Sequence, residues 1–146
     1  MVCIDGASNP VSHISLNLYL GSLPKWLSTL CEKLQQMQYF PEAPNQVIVN
    51  EYEPGQGISA HIDCLPCFSD TIASLSLGSS CIMGFTHSKT GEKQSQFLEP
   101  CSLLVLSGDA RYQWQHAIAS RKTDKHQGRI IQRTRRISLT FRKVVT

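Results

Sequence analysis

His61 and Asp63 lie at the end of a predicted strand and are spaced so that their side chains can hold one metal ion. Residues i and i+2 of a strand point to the same face of a sheet, so the imidazole and the carboxylate would project together. His116, in a later predicted strand, can supply a third ligand. Two histidines and one carboxylate form the facial triad of non-haem Fe(II) oxygenases, which leaves coordination positions open for other molecules. Zinc is the competing metal, although catalytic zinc usually leaves only one open position.

The strand predicted over residues 136–144 alternates between apolar and polar side chains. Its polar face carries Arg136 and Arg142, whose backbones lie about 20 Å apart at about 3.3 Å per residue. Because arginine pairs bidentately with carboxylates, two long side chains leaning inward can grip a short dicarboxylate. Asn50 and Tyr52 share one face of an earlier predicted strand and would add polar partners. A solvent-exposed outer face would explain each of these patterns when it is taken alone.

In combination, these motifs closely resemble those of the AlkB family of Fe(II)- and 2-oxoglutarate-dependent dioxygenases. The resemblance covers about residues 20–145 and rests on the order and spacing of Asn50-x-Tyr52, His61-x-Asp63, His116 and Arg136-x5-Arg142. It implies Fe(II) as the cofactor, with 2-oxoglutarate and O2 as cosubstrates. It also implies that iron is held by His61, Asp63 and His116, and that Arg136 pairs with the distal carboxylate of 2-oxoglutarate. The remaining residues implied for the 2-oxoglutarate pocket are Asn50, Tyr52, Ser138 and Arg142.

Four stretches are most similar to the eukaryotic branch of this family that hydroxylates a modified wobble uridine in tRNA; they are residues 50–57, 70–78, 111–116 and 141–144. The resemblance therefore implies an oxidoreductase that oxidises a modified base in nucleic acid. The reaction would be either wobble-uridine hydroxylation in tRNA or oxidative demethylation of N-alkylated bases in DNA or RNA. Two other classes of function stay open, namely an oxygenase acting on a protein or a lipid and a non-catalytic nucleic-acid-binding β-domain.

One helix and a series of short strands must position these residues. Ser22 is predicted to cap the N-terminus of the helix, with Pro24 in its first turn. Its buried face is expected to comprise Leu23, Trp26, Leu27, Leu30, Leu34 and Met37. Strands are predicted over residues 46–53, 58–63, 71–77, 80–86, 95–98, 101–106, 113–118 and 136–144, with a weaker strand over 14–20. This pattern indicates a mostly antiparallel β-sandwich or barrel. The family resemblance specifies a double-stranded β-helix (jelly-roll) core with one α-helix packed on the N-terminal side.

The length and composition of the chain predict one domain over residues 1–146, with residues 1–22 forming a shortened N-terminal lid. Hydrophobic residues make up 41% and charged residues 17%, which excludes a mainly disordered protein. The longest apolar run, residues 103–106, is too short to cross a membrane. No signal peptide is recognised, so we expect a cytoplasmic protein, or a nuclear one if the source is eukaryotic. We expect a monomer, to which a partner can contribute a lid or RNA-binding function.

The six cysteines are expected to be free thiols, because no secretory signal is recognised. Cys64 and Cys67 have CxxC spacing and directly follow the predicted metal ligand Asp63. Pro66 and the next strand favour a loop here rather than a thioredoxin-type motif, and a structural zinc site would require two further ligands. The pair is therefore predicted to be incidental.

Positive charge is concentrated late in the sequence, where nine of the 14 Lys and Arg residues lie at or after Arg121. The segment between His116 and Arg136 is predicted to be a polar surface loop beside the mouth of the site, where it would hold a phosphate backbone. A solvated surface without a ligand explains the charge alone equally well. The candidate substrate-binding residues are Arg111, Tyr112, Trp114, Arg121, Lys122 and Lys125.

Overall fold

Alternating apolar and polar residues produce most of the secondary structure in the computed structural model, which describes residues 2–3 and 21–145. In chain order the elements are β1 (Val2–Cys3), α1 (Lys25–Gln36), β2 (Gln46–Tyr52), β3 (Ile58–His61), β4 (Phe68–Gly78), β5 (Cys81–His87), β6 (Lys93–Leu98), β7 (Leu103–Leu106), α2 (Asp109–Tyr112), β8 (Trp114–Ile118), β9 (Thr123–His126), β10 (Arg129–Gln132) and β11 (Arg136–Val144). The strand predicted over residues 14–20 lies outside the described residues. No helix in the described ranges is long and apolar enough to cross a membrane.

Two sheets form the core and enclose a cavity between them. The larger sheet has the order β1-β2-β11-β4-β7 and the smaller has the order β3-β8-β5-β6. All pairings within them are antiparallel except that of β1 with β2. This arrangement confirms the mostly β, jelly-roll core with a packed helix.

Helix α1 packs on the larger sheet through a narrow apolar stripe. Leu27, Cys31 and Leu34 are buried in one cluster with residues of β2, β4 and β11. Their i, i+4, i+7 spacing places them on one face of the helix. Trp26 and Met37, predicted to be buried, are 57% and 60% exposed because they lie beside this stripe rather than on it.

The predicted N-terminal cap of α1 is wrong. Pro24 takes the N-cap position, one residue before the helix, and no side chain caps the helix. The fixed φ of proline suits a helix entry, so the helix begins without a Ser22 cap.

The prediction of a surface loop between His116 and Arg136 is also wrong for residues 123–132, which form the β9–β10 hairpin. Its two-residue turn, Gln127-Gly128, has positive φ at both positions, which is typical of a type I′ turn. Buried Asp124 anchors the hairpin by accepting hydrogen bonds from the Arg133 and Arg121 guanidinium groups and from the backbone N–H of Ile82. The hairpin therefore depends on ion pairs rather than on an apolar face.

Candidate metal and cosubstrate site

The structure brings the three predicted metal ligands together at one end of the cavity. His61 of β3 and His116 of β8 are directly paired across the smaller sheet, and Asp63 follows β3 by two residues. Asp63 Oδ1 lies 3.6 Å from His61 Nε2 and 3.4 Å from His116 Nε2. One ligand atom from each residue lies within 4.8 Å of the other two, so these residues can hold one metal ion.

The tautomer of His61, the protonation state of His116 and the orientation of Asp63 all suit metal binding. His61 Nδ1 lies 2.8 Å from the carbonyl oxygen of Ser59. A hydrogen bond donated there leaves Nε2 as the ligand atom. Burial, together with the neighbouring His61, lowers the pKa of His116 to about 4, so its imidazole is neutral at physiological pH. Arg142 Nη2 lies 2.6 Å from Asp63 Oδ2, while Oδ1 faces the two histidines.

The loop that follows Asp63 is closed by a disulfide between Cys64 and Cys67. The expectation that these cysteines are free thiols is therefore wrong for this pair. Sequence reasoning saw the spacing but not that the chain turns back here, bringing the two Cα atoms to 5.3 Å. The backbone N–H of Val145, just after β11, donates to the carbonyl of Cys67. The loop after the metal ligand is thus tied both to itself and to the larger sheet.

A cavity of about 510 Å³, including the space open to solvent at its mouth, lies between the two sheets. All eight residues predicted to hold iron or 2-oxoglutarate line it. Deep in the cavity, Arg136 is only 3% exposed. Its Nη2 donates to Ser76 Oγ, and its guanidinium lies 5.4 Å from the centre of the Tyr52 ring.

Arg136 has an incomplete set of partners. Its Nε and Nη1 atoms are buried and make no hydrogen bond with any described residue. No carboxylate of the described residues forms an ion pair with it. A buried charge is costly unless it is paired, and guanidinium N–H groups without an acceptor are suited to bind a carboxylate. The cavity therefore fits one carboxylate of 2-oxoglutarate at Arg136.

Asn50, Ser74, Ser138 and Thr140 are hydroxyl- or amide-bearing residues that line the same cavity. Asn50 of β2 and Ser138 of β11 are paired across the larger sheet. The Ser138 hydroxyl lies 3.0 Å from that of Ser74 on β4. Sequence reasoning missed Ser74 and Ser76, although their i, i+2 spacing in a run of apolar residues is typical of polar groups on an inward face.

The structure disperses the six candidate substrate-binding residues, none of which lines the cavity. Tyr112 is exposed and hydrogen-bonds to Asp70, while Trp114 is half-buried and meets the His87 ring edge-on at 5.2 Å. Arg121 pairs with buried Asp124, and Lys122 and Lys125 are exposed on the hairpin and the segment before it.

For Arg111, the expectation of substrate contact is wrong. Its side chain is 2% exposed, and its guanidinium donates to the backbone carbonyls of Asp63, Cys64 and Ser69. No part of it is available to a nucleic acid at the surface.

The basic hairpin leads directly into the strand that carries Arg136, and Arg133, which follows the hairpin, lines one small pocket together with Arg136. Strand β8 runs from Trp114 to Ile118 and contains the metal ligand His116. The hairpin begins at Thr123, after the end of this strand. The chain then returns along Ser79, which hydrogen-bonds to the backbone at residues 134 and 135, and enters β11 at Arg136.

Comparisons with known proteins agree with this geometry. The family model of the 2OG-Fe(II) oxygenase superfamily matches residues 17–142. An uncharacterized protein L905 of Acanthamoeba polyphaga mimivirus is 41% identical over 126 residues, covering 86% of this chain and 60% of that protein. The mouse tRNA (carboxymethyluridine(34)-5-O)-methyltransferase ALKBH8 is 43% identical over 140 residues, covering 85% of this chain and 21% of that protein. The Arabidopsis thaliana alkylated DNA repair protein ALKBH8 homolog is 38% identical, covering 86% of this chain and 43% of that protein.

The chain thus spans between about one fifth and three fifths of the length of these relatives. Among solved structures, that of OsALKBH1 superimposes with a TM-score of 0.63 at 18% identity, covering 83% of this chain and 64% of that one. This likeness supports the fold. The matching family model and the relatives near 40% identity lead to one conclusion: the chain belongs to the AlkB family of Fe(II)- and 2-oxoglutarate-dependent oxygenases, oxidoreductases that use iron, 2-oxoglutarate and O2.

Proposed function

We propose that this protein is a dioxygenase that oxidises a modified base in nucleic acid. The observation that carries the oxygenase chemistry is the buried, partly unpaired guanidinium of Arg136 in the cavity that also holds His61, Asp63 and His116. A metal triad alone would fit a hydrolase as well. A cation placed for a dicarboxylate in the same cavity favours a 2-oxoglutarate oxygenase.

The residues around the cavity have three roles: some would bind the metal, one would orient a ligand, and others exclude water. Iron bound with 2-oxoglutarate and O2 supplies the oxidising power to hydroxylate a C–H bond. Neutral His116, His61 and the carboxylate of Asp63 would hold the metal, and Arg142 would keep the Asp63 carboxylate oriented. Apolar side chains that line the cavity, such as Ile72, Met83 and Leu106, exclude water from the reacting centre.

For the substrate, we propose a base of tRNA, namely a modified wobble uridine that is hydroxylated. The name of the mouse relative, which is 43% identical, refers to a tRNA uridine at position 34. A base in a tRNA loop is accessible without the cost of opening a duplex.

Oxidative demethylation of an N-alkylated base in DNA or RNA is the second candidate. It is favoured by the name of the Arabidopsis relative and by that of a zebrafish relative, a probable RNA/DNA demethylase ALKBH6 that is 29% identical. Hydroxylation of an N-methyl carbon gives a product that releases formaldehyde and leaves the unmodified base, so one site can serve both reactions.

Lys122 and Lys125 are the exposed cations that we propose contact the phosphate backbone. Neither forms an ion pair with an acid of the described residues. Arg121 differs from them, since part of its charge is balanced by Asp124. Because the hairpin lies at the Arg136 end, such contacts would guide a long nucleic acid rather than hold the reacting base.

A product screen tests the proposal. The protein is incubated with Fe(II), 2-oxoglutarate and tRNA carrying 5-carboxymethyluridine derivatives, and separately with N-methylated DNA and RNA. Nucleosides are then analysed by mass spectrometry. We expect a gain of one oxygen on the wobble uridine, absent in His116→Ala. Loss of a methyl group from DNA or RNA would favour the second candidate.

Succinate formation with no change in any nucleoside would contradict a nucleic-acid substrate and favour a protein or lipid. Binding of nucleic acid without succinate or nucleoside oxidation would instead favour a non-catalytic domain.

A further inference from the structure

Arg111 is a buried arginine that joins two segments carrying metal ligands. It lies on the short helix α2, five residues before His116 on the following strand. Its side chain crosses to the loop after β3, where Nη1 donates to the carbonyl of Asp63 at 2.9 Å and Nη2 to that of Cys64 at 3.1 Å. Nε donates to Ser69 at 3.4 Å. One side chain therefore connects the backbone of the carboxylate ligand to the segment that leads into the histidine strand.

No carboxylate of the described residues forms an ion pair with Arg111. Its guanidinium donates to backbone carbonyls instead. A buried charge without a counter-ion is costly, and an apolar side chain could fill the same space without that cost. Hydrogen bonds to consecutive carbonyls do fix the direction of the chain between them. The direction of the Asp63 side chain follows from that of its backbone.

Asp63 is consequently held at two points. Arg111 holds its main-chain carbonyl, and Arg142 holds Oδ2 of its side chain. Together these contacts leave Oδ1 directed at the two histidines. Loss of the backbone contact would let the main chain of Asp63, and with it the carboxylate, shift relative to His116. The contacts that remain are the disulfide, the backbone hydrogen bonds from Cys67 and Val145, and the ion pair with Arg142, and none of them holds the Asp63 carbonyl.

We infer that Arg111 is a positioning residue that sets the affinity and ligand geometry of the metal site by holding the backbone of Asp63 against the strand of His116. This inference rests on the metal site of the proposed function and is independent of the nucleic-acid substrate. Arg111 itself contacts neither the metal ligands' donor atoms nor the cavity.

The test is metal binding by purified Arg111→Lys, with Co(II) as the spectroscopic probe and Fe(II) under anaerobic conditions. Lysine keeps the charge but cannot span two carbonyls with a planar fork. Loss of an outer contact to a metal ligand typically weakens metal affinity about 10- to 100-fold. We expect a loss of this size for Co(II), together with a changed visible absorption spectrum of the bound ion.

Arg133→Lys is the matched control. Arg133 is also buried and also donates to a carbonyl, that of Ala119, but its partner is Asp124 rather than a metal ligand. Urea unfolding of both variants measures the loss of stability that each substitution causes. We expect Arg133→Lys to bind Co(II) with the affinity and spectrum of the parent.

If the parent and Arg111→Lys bind Co(II) with the same affinity and spectrum, the inference is overturned and Arg111 is merely structural. If the parent itself binds no Co(II), the proposed function fails at its metal site. If Arg111→Lys does not fold, Arg111→Gln replaces it, because a neutral amide can donate to one carbonyl without burying a charge. The Co(II) affinity and absorption spectrum of Arg111→Gln are then compared with those of the parent, and unchanged values overturn the inference.

Discussion

Two arginines of one strand face the same cavity but meet different surroundings. Arg142 lies at the metal end, where its Nη2 is 2.6 Å from Asp63 Oδ2. Arg136 lies at the other end, where two of its guanidinium nitrogens have no hydrogen-bond partner among the described residues. One charge is balanced by a carboxylate of the protein, and the other is left for an anion that enters the cavity. We therefore propose that the strand supports the metal ligand with one arginine and binds the cosubstrate with the other.

Loss of a metal ligand should have the largest effect. His116→Ala is expected to abolish both succinate formation and metal binding, because two donor atoms do not complete the triad. The fold should persist, since His116 lies outside the apolar clusters of the core. Metal titration and circular dichroism check this, and treatment of the parent with a chelator should reproduce the loss of activity reversibly. Metal-dependent activity in His116→Ala would place the metal elsewhere.

Arg136→Ala should have the next largest effect, on the cosubstrate. A hydrogen bond to a charged group is worth about 1.5–3 kcal/mol, which corresponds to an increase of about 10- to 150-fold in the KM for 2-oxoglutarate. Arg136→Lys should restore binding only in part, because lysine lacks the planar fork. Initial rates of succinate formation measure both variants.

Arg142→Lys provides the contrast to that experiment. It should weaken Co(II) binding more than it raises the KM for 2-oxoglutarate, because Arg142 supports Asp63. An equal rise in the KM for 2-oxoglutarate in the Arg136 and Arg142 variants would contradict the proposal that only Arg136 binds the cosubstrate.

Asp124→Asn should affect stability more than catalysis. Burial alone would raise the pKa of Asp124, but hydrogen bonds from Arg133 and Arg121 hold it below its ordinary value. The ionised carboxylate therefore stabilises the fold above the unfolded pKa of about 3.9, and this contribution is lost as the pH falls through the lower, folded pKa. Replacement by Asn should cost about 1–3 kcal/mol near pH 7. Urea unfolding between pH 3 and 7 should show a smaller decline below about pH 4 in the variant than in the parent.

Neutralising Lys122 and Lys125 together should have the smallest effect. On single-stranded nucleic acid, log K falls by about 0.7 per phosphate contact per log unit of salt, so losing two contacts should reduce the salt slope by about 1.4. Fluorescence anisotropy with labelled tRNA at several salt concentrations measures this slope. Succinate formation in the absence of nucleic acid should stay at the parent rate. An unchanged slope would mean that these lysines are only solvated.

The sequence predicted eight residues that line the cavity, because all of them except Asp63, which follows β3, lie in strands with a period of two. His116, Asn50 and Arg136 illustrate this. Alternation assigns each side chain to one face of its own strand, and in the structure all three line one cavity. The order of the motifs along the chain then identified the family. The predicted roles of the individual residues remain predictions until the variants are measured.

The features that the sequence did not reveal are those held by contacts between distant segments. Arg111 looked like a surface cation because its partners are backbone carbonyls, which no sequence pattern displays. The β9–β10 hairpin has few apolar residues to mark its period, and no pattern in the sequence marks Asp124 as the buried partner of Arg133. The Gln127-Gly128 turn was the available signal, and it is weaker than the Asn-Gly pair that usually marks such a hairpin.

The hairpin also has a consequence for how the protein behaves at high concentration. Among the described strands, β9 and β10 pair only with each other, which leaves an open edge on each. An open edge is a template for pairing with a second copy of the chain, and Ile130 adds an apolar side chain that is 72% exposed. Lys125 and Arg129 lie on these strands, so two approaching copies repel each other through like charges. Lys125, one of the two cations that we propose attract a polyanion, therefore also opposes self-association, and its removal weakens both properties at once.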